Sequence, residues 1–279
     1  MTLATLSGVL GPALSGGYAV PGFVCLGWED ARAYALAAQA EAAPVILQAG
    51  PGARSHMPVS IWGKIFRALA ADVDVPVVAH LDHGISQDEC HAAIDAGFTS
   101  VMFDGSRLPL RSNIALTGAI ARLAHDAGLS CEGEIGFVGY SGGAESRGTD
   151  PQEAAIFAGE TGVDAMAVSV GNVHLQKAGS GSIDLGQLRA IEALTKVPLV
   201  LHGGSGIPSH FRTALAAHSS VCKFNIGTEL RQIFGAALRD RLARDPEVFD
   251  RIDILKGVEP ALEAAARSVL RGLGASGRA

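Results

Sequence analysis

The sequence predicts an α/β fold, a single TIM (β/α)8 barrel over residues 1–279 with a C-terminal helical extension. Three observations predict it. Short apolar, β-branched runs alternate with longer stretches whose apolar residues recur at helical spacing, the pattern of βα units around a parallel sheet. Eight such units can be counted, the number that closes a barrel, and no low-complexity linker interrupts them. Polar groups gather where the runs end, and barrel enzymes build their sites at that end of the strands.

In chain order, MTLATLSGVLGPALSGG has no basic residue before its weakly apolar stretch, so it reads as a short first helix and not as a secretory signal. Strands are expected at VPGFVCL (20–26), PVILQAG (44–50), PVVAHLDHG (76–84), SVMFDGS (100–106), SCEGEIG (130–136), AMAVSVG (165–171), PLVLHGG (198–204) and CKFNIG (222–227). Helices are expected near 29–42, 58–72, 86–96, 111–127, 151–162, 184–194, 208–217 and 228–244. PALEAAARSVLRGL adds a helix from about residue 259, beyond the eighth unit. FVGYSGGAESRGTD (137–150) and NVHLQKAGSGS (172–182) are glycine-rich and lie where barrel enzymes keep mobile covers.

Composition narrows the function. With 48% hydrophobic and 18% charged residues over 279 positions, the chain has the make-up of an ordinary globular α/β protein. A net charge of -6 argues against nucleic acid as a partner. Its apolar runs, such as VPLVLHGG, fall short of the roughly 20 residues a membrane span needs. Cys25, Cys90, Cys131 and Cys222 lie far apart with no CxxC pair, which suggests neither a disulfide framework nor a thiolate metal site and fits a reducing, cytoplasmic setting.

The strand ends carry Asp82 and His83 (third), Asp104 (fourth), Glu132 and Glu134 (fifth), His174 (sixth), His202 (seventh) and Asn225 (eighth). Three histidines from three strands can meet on one metal with a coordination position left for substrate. Asp82, not needed as a ligand, is then free to move a proton on a substrate held there. His80 shares the strand face of Asp82 but lies one layer deeper, where a structural role fits it better. HGGSGIP (202–208) and FNIGTEL (224–230) each run from a strand through glycine into a helix start. Their backbone N–H groups, with the Ser205 and Thr228 hydroxyls, offer an anion site.

GYAVPGF, PVILQAG, HLDHG, MFDGS, GNVH, VLHGGSG and KFNIGTEL together resemble, in order and spacing, the class II zinc-dependent ketose-bisphosphate aldolases, which include fructose- and tagatose-bisphosphate aldolases. The likeness runs from about residue 17 to 272, and PLVLHG, the C-K-F-N spacing and the final GRA favour the tagatose-type branch. The resemblance implies Zn2+ on His83, His174 and His202, with Glu134 at a second or alternative metal position. It implies Asp82 and Glu145, in GGAES, as the two proton carriers. Gly203, Ser205, Asn225 and Thr228 would grip the dihydroxyacetone-phosphate half, with a monovalent cation, Na+ or K+, nearby. The partner implied is a phosphorylated sugar, and the assembly a homodimer or homotetramer.

Several positions depart from the family pattern. Val24 and Gly27 replace two asparagines, Leu175 replaces a glycine, the residues after Glu145 lack an acidic partner, and FDRID replaces a D-P-R run, leaving Arg251 a displaced neighbour of a phosphate-gripping arginine. These changes favour a ketose 1-phosphate over a 1,6-bisphosphate. Two other readings are a metal-dependent barrel hydrolase, disfavoured because the first strand lacks an HxH pair, and a non-catalytic sugar-phosphate-binding member, disfavoured by Asp82 and the three histidines.

Overall fold

The computed structural model describes residues 2–176 and 182–279; residues 177–181 of the 172–182 loop lie outside them. Eight parallel strands close in sequence order, with β1 pairing β2 on one side and β8 on the other. They are β1 (Val20–Val24), β2 (Val45–Ala49), β3 (Val77–Gly84), β4 (Ser100–Phe103), β5 (Ser130–Ile135), β6 (Ala165–Val168), β7 (Leu199–Leu201) and β8 (Val221–Ile226). The helices run α1 (Leu6–Gly16), α2 (Trp28–Ala40), α3 (Pro51–His56), α4 (Val59–Ala71), α5 (Gln87–Asp95), α6 (Leu110–Asp126), α7 (Pro151–Thr161), α8 (Leu185–Leu194), α9 (Ser209–His218), α10 (Thr228–Arg244), α11 (Arg251–Lys256) and α12 (Glu259–Gly272). All eight expected strands and eight expected helices are present, as are the first helix and the C-terminal one.

Local chemistry starts and stops the helices. Ser86, Asp150, Asp184 and Asp250 each accept a backbone N–H in the first turn of α5, α7, α8 and α11. Pro151 sits at the first position of α7, where its missing N–H removes no helical bond. Strands 4, 6 and 7 are shorter than expected, because Asp104 and Ser106, Ser169 and His202 at their ends turn into the loops that build the site, and β1 stops at Val24. Two short helices, α3 and α11, were not anticipated.

The barrel interior is unusually polar. Alternation along β3 and β5, and the contacts below between strands that are not neighbours, place His80, Glu132 and Lys223 inside the barrel, all fully buried. Lys223 Nζ donates to Glu132 Oε2 at 2.7 Å, His80 Nε2 lies 3.5 Å from the same oxygen, and His80 Nδ1 meets Ser100 Oγ at 2.9 Å. Gly22 makes room for this layer, since a Cβ there would stand 2.2 Å from Gln48 Oε1. Apolar residues of the opposite strand faces, such as Leu47, Leu81 and Val101, pack with buried helix residues such as Trp62 and Phe66 in the core. All four cysteines are free and buried. Among the described residues no helix is long and apolar enough to cross a membrane.

Candidate active site and metal centre

His83 is the second-last residue of β3, His174 follows β6 and His202 directly follows β7. Converging strand ends bring them together: each offers one nitrogen to a cluster in which these atoms lie within 4.8 Å of one another. The ring centroids of His83 and His202 are 4.6 Å apart, those of His83 and His174 5.2 Å. Carboxylates fix the ring orientations. His83 Nδ1 donates to Asp104 Oδ2 at 2.7 Å, and His202 Nε2 donates to Glu132 Oε1 at 3.1 Å. Ser106 Oγ in turn donates to Asp104 Oδ1 at 2.6 Å.

These bonds leave His83 Nε2, His174 Nε2 and His202 Nδ1 buried without a hydrogen-bond partner. Buried polar atoms are normally satisfied, so an unpaired nitrogen on each of three clustered imidazoles fits a metal cation. Carboxylates behind two of the rings complete the arrangement that orients histidine ligands. Glu134 Oε2 is also unpaired, 3.4 Å from His202 Nδ1 and 3.6 Å from His83 Nδ1. With His83 and Asp104 it forms a second donor group of the same compactness.

Electrostatics separate the roles. Burial and the His202 and His83 rings depress His174 to about 3, keeping it neutral and ready to ligate. Burial opposes charge on His202 as well, but Glu132 and Glu134 hold its pKa up at about 10. A bound metal cation would replace that proton. Asp82 stays below its ordinary value because His83, His202 and Lys223 outweigh the desolvation that pushes it up.

Asp82 faces the same cavity, which measures about 240 Å³. Asn225 Nδ2 donates to Asp82 Oδ1 at 3.1 Å. Asp82 Oδ2 lies toward Gly50, whose missing Cβ would stand 3.3 Å from it. Gly203, Ser205, Asn225 and Thr228 all line the cavity. Gly203 takes φ +65, and a Cβ there would meet the Val173 carbonyl oxygen at 2.2 Å. Ser205 Oγ accepts from the backbone N–H of Gly227 (3.2 Å) and Glu229 (3.3 Å), so the β7 loop is fastened to the N-terminus of α10. Val24, Leu26, Tyr140 and Leu175 are lining side chains with apolar bodies, and Arg231 is the one cation among the described lining residues.

Glu145 is not brought to the site: it is exposed on the 137–150 loop and does not line the cavity. Tyr140 of that loop does, stacking on His174 with centroids 4.8 Å apart and planes 23° off parallel. Two backbone bonds hold it there, Ser141 N–H to the His174 carbonyl (2.9 Å) and His174 N–H to the Gly139 carbonyl (2.8 Å). Arg251 lies at the exposed start of α11, lining outer clefts and not the central cavity. The sequence reading missed Tyr140, Arg231 and Lys223. Only Lys223 carried a signal, as a lysine two residues before Asn225 on the same face of an otherwise apolar strand.

The fructose-bisphosphate aldolase class-II family model matches residues 4–278. The chain belongs to the class II fructose-bisphosphate aldolase family. It is therefore an enzyme, a carbon–carbon lyase. This class II aldolase is 37% identical over 287 residues to the fructose-bisphosphate aldolase of Geobacillus stearothermophilus, covering 100% of this chain and 99% of that one. It is 36% identical over 286 residues to that of Staphylococcus aureus (strain N315), covering 100% of both. Its structure matches the crystal structure of the YdjI aldolase of Escherichia coli K12 with a TM-score of 0.88 at 28% identity, over 99% of each chain. The fructose-bisphosphate aldolase of Campylobacter jejuni shares the fold, with a TM-score of 0.83 at 22% identity, over 98% of this chain and 96% of that one.

Proposed function

We propose that this chain is a zinc-dependent aldolase that reversibly cleaves a phosphorylated ketose, a 1-phosphate or a 1,6-bisphosphate, to dihydroxyacetone phosphate and an aldehyde. The observation that carries the reading is the set of three unpaired histidine nitrogens beside a buried, ionised Asp82, in one cavity with the N-terminus of α10. Zinc on His83, His174 and His202 would polarise the substrate ketone and stabilise the negative charge left by carbon–carbon cleavage. Asp82 takes the proton from the hydroxyl whose carbon becomes the aldehyde. Asn225 occupies Oδ1, so Oδ2, facing Gly50, is the oxygen that receives it.

Gly203, Ser205, Asn225 and Thr228 grip the phosphate of the three-carbon fragment. The seventeen-residue helix α10 adds its N-terminal dipole and free N–H groups. Glu145 returns a proton to the three-carbon fragment, which requires the 137–150 loop to carry it inward. Glu134 serves as the second metal position, and the family likeness supports a Na+ or K+ ion near the phosphate. A single lining cation, Arg231, with Arg251 outside the cavity, supports the 1-phosphate over the bisphosphate. Tagatose-type placement rests on the PLVLHG and C-K-F-N spacing. One domain spanning 1–279, a homodimer or homotetramer, and a cytoplasmic location complete the proposal.

The test is to incubate zinc-loaded protein with a panel of ketose 1-phosphates and bisphosphates and couple released dihydroxyacetone phosphate to a dehydrogenase. Turnover is expected on at least one ketose 1-phosphate. No signal across the panel, with zinc bound, sinks the proposal. Asp82→Ala should keep zinc and lose turnover, and loss of zinc instead would make Asp82 a support for the metal ligands.

A further inference from the structure

Asp82 and His83 are consecutive, yet both line the central cavity. An extended strand turns consecutive side chains to opposite faces, and the register places His80 and Asp82 on the interior side. His83 therefore reaches the cavity only through a local break in β3. The break is visible: β3 pairs with β4 through His80–Ser100 and Leu81–Val101, then slips to Gly84–Phe103, and His83 takes φ +52, a left-handed conformation unfavourable for a residue with a Cβ.

Pairing with β2 ends at Ala49–Leu81, so the carbonyls of Asp82 and His83 lie beyond that ladder. Arg54 takes both. Its Nη1 donates to the carbonyls of Ala49 and Asp82, each at 2.6 Å, and its Nη2 to the carbonyl of His83 at 3.0 Å. Nε donates to Glu89 Oε1 at 2.8 Å, while Glu89 Oε2 accepts the N–H of Ile85 just past the break. The side chain is only 6% exposed. One guanidinium thus joins the end of β2, the broken stretch of β3 and the first turn of α5.

A left-handed backbone at a non-glycine residue persists only where its surroundings over-determine it. The planar fork of arginine reaches three carbonyls and a carboxylate in fixed geometry, which the single ammonium of lysine does not match. We propose that Arg54 is a positioning residue that holds the β3 break open so that Asp82 and His83 face the cavity together. The inference rests on the reading of Asp82 as proton carrier and His83 as metal ligand, but a measurement of zinc binding tests it even if no ketose is turned over.

The variants are Arg54→Lys and Arg54→Ala, with Arg111→Met as a control that removes an exposed ion pair between α6 and Glu160 of α7. Zinc affinity is read by competition with a chromogenic chelator, kcat and KM on the substrate found by the panel, and folding by thermal melting. Loss of a group that orients ligands lowers metal affinity or activity by roughly 10–100-fold, the fall expected for both Arg54 variants, with KM nearly unchanged because the phosphate cradle lies on β7 and β8. An open cavity of about 290 Å³ lined by Pro51, Arg54, Ser55, Ile85 and Glu89 gives access to the vacated space. Millimolar guanidinium should therefore restore part of the zinc affinity of Arg54→Ala and none to the control.

Zinc affinity within threefold of the parent in folded Arg54→Lys overturns the proposal. So does a fall that only follows the unfolded fraction and is not relieved by guanidinium. If Arg54→Ala does not fold, Arg54→Lys carries the test alone, its zinc affinity at full native signal deciding between the two outcomes. Unchanged zinc affinity in the variants refutes the role of Arg54, whereas tight zinc binding by the parent with no turnover on any ketose refutes the proposed reaction alone.

Discussion

Lys223→Met gives the most direct measure of how much the polar barrel interior contributes to stability. Lys223 and Glu132 are both fully buried, with Nζ 2.7 Å from Oε2. At that separation, with an effective dielectric constant of about 20, their Coulomb attraction is about 6 kcal/mol. Glu132 also accepts from His202 Nε2 at 3.1 Å and lies 3.5 Å from His80 Nε2. Burial and Lys223 depress His80 to about 3, so in the parent its ring is neutral beside Glu132. Methionine keeps the stem and leaves Glu132 only the His202 imidazolium as a cation, so the cost should fall at the lower end of the range for a broken buried pair, about 3 kcal/mol. For a chain of this size that is roughly a 10 °C fall in melting temperature. Urea unfolding of Lys223→Met, Glu132→Gln and the double variant measures it, with the double variant expected to recover at least half of the loss. A cost below about 1 kcal/mol, or strictly additive single losses, would refute the reasoning.

Three further outcomes follow from the geometry. Gly203→Ala forces a side chain against the Val173 carbonyl at φ +65, so zinc and dihydroxyacetone phosphate should both bind roughly tenfold more weakly in titration calorimetry, because Val173 leads directly into His174. Glu145→Gln should slow solvent proton exchange on dihydroxyacetone phosphate by roughly 100-fold without loss of zinc; an unchanged rate moves that role away from the residue. Glu41 ties the end of α2 to Arg267 and Arg271 of α12 and to Ser276, and Arg271 foremost holds its carboxyl down at about 2. Its folded pKa lies below the unfolded one, so its contribution is full above about 4.5 and lost as pH falls through about 2. Glu41→Gln should therefore destabilise by about 1 kcal/mol at pH 7, after allowance for solvent screening, with the difference closing in acid.

The barrel was legible because buried parallel strands read as short apolar runs, and the loops between them are punctuated by glycine, proline and capping residues. The three histidines, Asp82 and the cavity-lining Gly203, Ser205, Asn225 and Thr228 were legible because they fall at equivalent places, the ends of strands. α3 was not: PGARSH opens with Pro and Gly and spans six residues, which reads as a turn. Arg54 was hidden for a related reason, since nothing local shows that an arginine in that turn will reach carbonyls of β3. Lys223 looked like any strand lysine until Glu132, ninety-one positions away, closed on it. Glu145 was chosen by its motif alone, and the backbone instead presents Tyr140 of the same loop to His174.

His83, His174 and His202 are separated by about 90 and about 30 residues, so the three-histidine cluster cannot exist in any short piece of this chain. Loop-closure entropy opposes an early encounter of such distant segments, and the set is complete only after β7 has docked. A metal held by all three would act on a barrel already assembled and should slow unfolding while leaving the refolding rate almost unchanged. In a chain emerging from the ribosome the three-histidine cluster is incomplete until more than two hundred residues are out.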